Sequence, residues 1–297
     1  MISGCETAAP PSDGQPEKVW GQQGTAPGRF QKPRAITIDS KDQLYIVDMT
    51  ARIQVFDRDG NYLRSWRTPE WQYGKPCGLD IDREGRIIVG DTHYYRMLTY
   101  TPAGELVEAK TIGGKAGTGP GEFGFVTHAC QDSAGNYYIS EYGENDRIQK
   151  FSADGKYLGQ WGGHGSEPGK FLRPQKLIFD SRGRMWVTDV GNHRIQIFEM
   201  EEKGAKLVHS WGEVGGEPGQ LRYPYDLAFD GAGHVYVAEF GNSRVQKFEE
   251  SGKFLASWGT WGRRAGELFN PWGIVRDSLG RFHILDTYNH RVQRVAL

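Results

Sequence analysis

Arg52-Ile-Gln-Val-Phe56 is a phrase the chain repeats. It returns as Arg147-Ile-Gln-Lys-Phe151, Arg194-Ile-Gln-Ile-Phe198, Arg244-Val-Gln-Lys-Phe248 and Arg291-Val-Gln-Arg-Val295, and in weakened form as Arg96-Met-Leu-Thr-Tyr100. The six arginines stand 44, 51, 47, 50 and 47 residues apart, so one motif fills nearly the whole chain. A period of this size belongs to propellers and related repeat arrays.

The fourth copy shows what one unit builds. Pro174-Gln-Lys-Leu-Ile-Phe-Asp180 reads as an inner strand, and Ser181-Arg-Gly-Arg184 as a tight turn. Met185-Trp-Val-Thr-Asp189 is a second strand, and Gly191-Asn-His193 turns into a third, Arg194–Phe198. A charged turn through Gly204 leads to the outer strand, Lys206-Leu-Val-His-Ser-Trp211. Four short strands joined by hairpins form a meander that is apolar on both faces. Such a sheet is stable only when stacked between copies of itself, and closing the circle removes the exposed ends.

The other copies align on this one. An aspartate closes the inner strand at Asp39, Asp82, Asp132, Asp180, Asp230 and Asp277. Six residues earlier stands proline, except for Val126 in the third copy. Glycine-rich connectors end in apolar residues at Phe30, Phe123, Phe171, Leu221 and Leu268-Phe269, read here as plugs between blades. The first connector, Arg67–Gly74, is shorter and breaks the pattern. An acidic residue ends each second strand (Asp48, Asp91, Glu141, Asp189, Glu239, Asp286), four to six residues before the repeat arginine. Carboxylate and guanidinium meet across such a hairpin. Recurrence in every blade makes these pairs supports of the fold and not catalysts. Leu297 follows the third strand of the sixth unit, and Lys18-Val-Trp-Gly21 resembles the outer-strand endings Ser210-Trp-Gly212 and Ser257-Trp-Gly259. The expectation is an all-β, six-bladed propeller of four-stranded antiparallel blades over residues 18–297, with the N-terminal strand completing the last blade.

Composition narrows the function classes. Thirty-six Lys and Arg against 37 Asp and Glu give a formal charge of -1, without the positive field of a non-specific nucleic-acid binder. No run approaches a membrane span. Residues 1–17 are polar and aperiodic, a flexible leader. Met1-Ile-Ser-Gly-Cys5 resembles the end of a bacterial lipoprotein signal with Cys5 lipidated, although no apolar stretch precedes it; either the likeness is accidental or the signal has been removed, in which case a secreted, periplasmic or lipid-anchored protein is expected. Cys77 and Cys130 fall at opposite strand parities, so they are read as unpaired buried thiols.

Asn192-His193-Arg194 and Asn289-His290-Arg291, each followed by the β-branched–Gln phrase, look like NHL repeats, named for such Asn-His-Leu-like triplets. Asn145-Asp-Arg147 and Asn242-Ser-Arg244 match in part, while Thr50-Ala-Arg52 and Tyr94-Tyr-Arg96 keep only the arginine. The resemblance covers about residues 18 to 297. It implies a six-bladed propeller used as a protein- or RNA-binding module, as an extracellular sensor or, in one branch, as an amidating lyase.

Connectors and second-to-third hairpins share one face, which carries the sequence variation. Its aromatic and histidine residues are the candidate binding site: Trp71, Tyr73, His93, Tyr94, Tyr95, His128, Tyr142, Tyr225, Trp261 and Trp272. The reading is a module recognising a protein or carbohydrate partner. Single-stranded RNA ranks lower, because the basic candidates Arg34, Lys176, Arg263 and Arg264 are scattered over several blades. The alternative is a metal-dependent lyase or hydrolase at the mouth of the central channel. The lyase branch implies zinc held by histidines from separate blades. The inner strands here begin Arg34-Ala35, Cys77-Gly78, Thr127-His128, Gln175-Lys176, Tyr225-Asp226 and Trp272-Gly273, with one histidine among them. His93, His128 and Asp226 are the ligand set left for zinc or calcium, and the expectation is that no cofactor is held.

Overall fold

The computed structural model describes residues 14–297; the lipoprotein-like Cys5 and most of the leader lie outside them. Among the described residues no helix is long and apolar enough to cross a membrane. Six four-stranded antiparallel sheets follow one another around a ring. Their inner strands are Ala35–Ile38, Gly78–Ile81, Phe125–Gln131, Pro174–Phe179, Pro224–Phe229 and Gly273–Arg276. The sixth sheet takes its outer strand from the other end of the chain. Lys18–Trp20 pairs antiparallel with Arg291–Val295, setting Lys18 against Arg294 and Trp20 against Val292. Trp20 then packs on Phe56, with ring centroids 4.7 Å apart, and on Phe30 at 5.8 Å.

The core lies between blades, as the two-faced apolar strands require. Each apolar cluster draws on two neighbours; one joins Tyr45, Val47 and Val55 of the first blade to Leu79, Ile87 and Val89 of the second. The connector residues Phe30, Phe123, Phe171, Leu221 and Leu268 are fully buried plugs. Phe269, quoted beside Leu268 in the sequence, is half-buried and lies on Trp261 and Tyr288 instead.

The repeated phrase is an instrument for holding connectors. Arg194 donates from Nε to Asp189 and from its two terminal nitrogens to the carbonyls of Ser166, Glu167 and Lys170. Gln196 accepts from Gly169 N–H and donates to the Lys170 carbonyl. Arg52, Arg147, Arg244 and Arg291 act in the same way, each paired with its own carboxylate. The second blade departs, because Leu98 replaces the glutamine and Arg96 reaches Asp91 and Glu70 with no connector carbonyl. The middle residue of each triplet sits in the left-handed region at Ala51, Tyr95, Asp146, His193, Ser243 and His290. In four blades its side chain accepts a backbone N–H from the next connector: Asp146 from Arg173, His193 from Tyr223, Ser243 from Asn270 and His290 from Lys32. The triplet histidines are therefore clamps between blades, with the acceptor nitrogen facing that N–H.

Candidate functional site at the channel mouth

The central channel is lined by the residue two places after each strand-opening proline, or after Val126 in the third blade: Ala35, Gly78, His128, Lys176, Asp226 and Gly273. Three are small and three are polar. The polar three lie on inner strands whose register slips at their start, between Val126 and His128, Pro174 and Leu177, and Pro224 and Asp226. A bulge re-aims a side chain, and here each turns a long polar group inward. The glycines are demanded by the same crowding. A Cβ on Gly78 would stand 2.2 Å from the Thr127 carbonyl oxygen of the next blade.

Lys176 and Asp226 approach to 3.7 Å at only about a tenth exposure. Asp226 also accepts backbone N–H groups from Leu227 and Ile274. Burial, only partly offset by Lys176, pushes its carboxyl up to about 6. Asp80 is raised in the same direction for the same reason. Burial lowers the Lys176 ammonium, but Asp226 and Asp80 outweigh it and hold the pKa above its ordinary value. His128 is neutral: burial drives its pKa well down, and Lys176 adds to that. Its Nε2 faces the Leu79 carbonyl at 3.1 Å.

Above this floor the residue after each proline forms the mouth, with Arg34, Cys77, Gln175, Tyr225 and Trp272. Tyr225 lies edge-on to Trp272 at 4.5 Å and close to Phe240 at 4.9 Å. The Arg173 guanidinium covers the rings of both Tyr142 and Tyr225, and Arg34 covers Trp272. Phe125 continues the arc, 5.1 Å from Tyr142 and 5.1 Å from His93. Burial raises the Tyr142 and Tyr225 phenols above their ordinary pKa, with Arg173 pulling partly back. Burial lowers His93, and the Arg34 and Lys75 charges lower it further. At neutral pH the mouth holds protonated phenols, a neutral imidazole and two guanidiniums.

Several of its buried polar atoms find no partner among the described residues: Gln175 Oε1, His128 Nδ1, Trp272 Nε1, His93 Nδ1 and Arg173 Nε. Buried polar groups in folded proteins are almost always hydrogen-bonded, so these five atoms are left to meet solvent or a ligand.

Of the ten candidates named from sequence, His93, His128, Tyr142, Tyr225 and Trp272 gather here. Tyr94 and Tyr95 are half-buried; Tyr95 packs beside Phe125, and Tyr94 accepts the Tyr73 N–H and carries the Arg96 guanidinium on its ring. Trp71, Tyr73 and Trp261 stand on the outer connectors, with Tyr73 81% and Trp261 71% exposed. The ligand set of His93, His128 and Asp226 is not assembled. Among the described residues no three His, Cys, Asp or Glu side chains converge on one point, Asp226 is committed to Lys176 and two N–H groups, and His93 lies against Phe125. The residues present do not fit a zinc held by histidines. Arg173, Gln175 and Cys77 escaped notice as site residues. Their signal was position: each stands within one residue of the strand-opening proline or next to it.

Comparison with known proteins places these features. The NHL repeat profile matches residues 171–198, 221–248 and 270–295. NHL repeat-containing protein 3 of Mus musculus is 32% identical over 180 residues, covering 56% of this chain and 51% of the relative. The chain thus spans about half the length of that curated relative. Among solved structures, virginiamycin B lyase from Staphylococcus aureus with quinupristin aligns over 94% of this chain and 88% of its own, with TM-score 0.62 and 15% identity. A gluconolactonase from Xanthomonas campestris aligns over 90% and 86%, with TM-score 0.66 and 11% identity. At such identities the likeness concerns the fold. Together with six in-register arginine–carboxylate hairpins, these findings show that the chain carries NHL repeats, arranged as a six-bladed β-propeller.

Proposed function

We propose that this protein is a lyase or hydrolase acting on a small molecule held at the mouth of its central channel. The observation that carries the reading is the group of buried, unpartnered polar atoms on Gln175, His128 and Trp272 below the Tyr142–Tyr225 arc. Small-molecule sites are built around a few convergent polar groups of this kind. The protonated phenols of Tyr142 and Tyr225 are suited to donate a proton to a leaving group. The neutral His93 imidazole, with Nδ1 free of any partner among the described residues, is suited to accept one. Lyases and lactone hydrolases on similarly folded rings lend support by analogy of fold alone.

The test is turnover of two probes drawn from those neighbours, quinupristin and glucono-δ-lactone, followed by mass. Conversion of either that falls by about a hundredfold or more in Tyr142→Phe or Tyr225→Phe, with unchanged melting temperature, supports the reading. If neither probe is converted and neither raises the melting temperature, the reading fails. A second reading, docking of a protein or glycan partner, is favoured by the outward projection of Tyr73 and Trp261. Tyr73→Ala with Trp261→Ala separates the two, since it is expected to leave turnover at the mouth unchanged.

A further inference from the structure

We propose that a cavity at the junction of the second and third blades binds a small alkylated ammonium cation of the choline type. The cavity, about 370 Å³, is lined by Tyr95, Phe125 and Tyr142 and by Glu144 at its edge. It lies beside the channel mouth and shares two rings with it, but its occupation does not depend on any turnover there.

This junction is built unlike the others. Four junctions are clamped by a hydrogen bond from Lys32, Arg173, Tyr223 or Asn270, each in the left-handed region, to the middle residue of a triplet. Here the triplet residue is Tyr95, a bulky side chain held at φ 56°, where such residues are uncommon. Phe125, which stands where those donors stand, has no positive φ and pairs instead as extended strand with Tyr142. Ring contacts take the place of the clamp, with Tyr95 and Phe125 6.3 Å apart and Phe125 and Tyr142 5.1 Å apart. The third blade's hairpin is also longer. Arg147 follows Glu141 by six residues, whereas Arg194 follows Asp189 by five. That longer hairpin carries Glu144, which is exposed and has no ion-pair partner among the described residues. The charges around it are engaged: Glu141 with Arg147, Asp146 with His164, and Lys115 with Glu122. The Arg173 guanidinium rests on the Tyr142 ring but does not line the cavity.

Three rings and one free carboxylate suit a cation, since aromatic faces attract positive charge and Glu144 adds to the attraction. A primary ammonium has three donors that need acceptors once taken from water. The polar groups of the cavity wall are already committed, the Gly117 carbonyl to Asn145 and the Gly124 N–H to Glu141. An alkylated ammonium spreads its charge over C–H surface and asks for no such partners.

The experiment is calorimetric titration of the intact protein at low salt with choline, ethanolamine and dimethylbutanol, the neutral isostere in which carbon replaces the nitrogen. Choline is expected to bind about tenfold or more tighter than either. Phe125→Leu is expected to weaken choline by about tenfold and the alcohol by less. Glu144→Gln is expected to weaken choline by about threefold. Melting temperatures check both variants, and the exposed Glu144 keeps the test decisive if Phe125→Leu unfolds. Equal affinity for choline and the alcohol, no choline binding at millimolar concentration, or indifference of choline to both substitutions would overturn the site. Ethanolamine binding as tightly as choline would overturn the choice of an alkylated ammonium. Pelleting of the protein with phosphatidylcholine vesicles, reversed by choline, would overturn the choice of a small free ligand. The readout is equilibrium binding, so failed turnover at the mouth leaves this site standing, and loss of choline preference leaves the catalytic reading standing.

Discussion

Blades four to six and the second blade solve the same packing problem with different parts. In the regular half, Asp189 accepts from Leu172 N–H, Asn192, Arg194 and Gln196, and the arginine and glutamine hold the connector as well. In the second blade Asp91 bonds Arg96 alone, and its Oδ1 has no partner. Tyr94 and Leu98 stand where the others place asparagine and glutamine. The repeat profile finds only the regular half. The difference teaches where each kind of information sits. Residues that recur hold the ring together, and residues at the positions the repeat leaves unspecified make the channel mouth.

The largest expected effect tests closure of the ring. Deleting residues 1–21 removes the strand Lys18–Trp20, its pairing to the sixth blade and the Trp20 contacts with Phe30 and Phe56. That deletion is expected to lower the melting temperature by roughly 10 °C or more, since it removes a whole paired strand and the partly buried Trp20 together. Deleting residues 1–16 keeps Glu17, with its contacts to Arg281 and Arg294, and removes mainly the Trp258–Gly14 bond. A fall of only a few degrees is expected there. Identical melting curves for the two would break the account of closure.

Next in size is a direct contrast of the two halves. Asp189→Asn leaves the Arg194 guanidinium without its charge partner, at a cost of about 3–5 kcal/mol. Asp91→Asn is expected to cost about 1 kcal/mol or less near neutral pH. Burial raises both carboxylates, so the contrast rests on Glu70, which still pairs with Arg96, and on the bonds from Leu172, Asn192 and Gln196 that only Asp189 accepts. Chemical denaturation of both variants at pH 7 checks the ordering, and equal losses would erase the proposed division of labour.

A third test probes the channel floor. The folded-state pKa of Asp226, about 6, lies above that of an unfolded carboxylate. The stabilisation from protonating it is fully present below about pH 4 and is lost as the pH rises through 6. Measured against Asp226→Asn, the native protein is expected to lose on the order of 1–3 kcal/mol between pH 4 and pH 7. A difference that grows with pH instead would mean that Lys176 governs the carboxylate.

The smallest contrast concerns two glycines. Gly78→Ala drives a Cβ into the Thr127 carbonyl and is expected to cost about 1–3 kcal/mol. Gly216→Ala meets nothing within 4 Å and is expected to change stability by less than about 0.5 kcal/mol.

The ring, its period, its closure and its arginine hairpins were legible in the sequence because each is written several times over. The site was legible only in part. Aromatic identity brought Tyr142, Tyr225 and Trp272 to attention, but it equally flagged Trp71, Tyr73 and Trp261, which the fold carries outward. Arg34 drew notice only as a scattered basic residue, and Arg173 drew none. What distinguishes them is the absence of an ion-pair partner among the described residues, a property of three-dimensional neighbours. The bulges that swing His128, Lys176 and Asp226 into the channel are also invisible from one strand's pattern. They depend on how two strands register against each other.

The pairing of Lys18 with Arg294 joins positions 276 residues apart. On a ribosome adding about 5–20 residues per second, the first strand waits roughly 15–55 seconds before its partner exists. Through that interval it is an unpaired edge in a crowded compartment, where a long apolar strand would recruit other chains. Three residues, opening on a lysine and flanked by Glu17 and Gly21, make a poor template for such capture. The shortness of the clasp is thus matched to the time it must spend open.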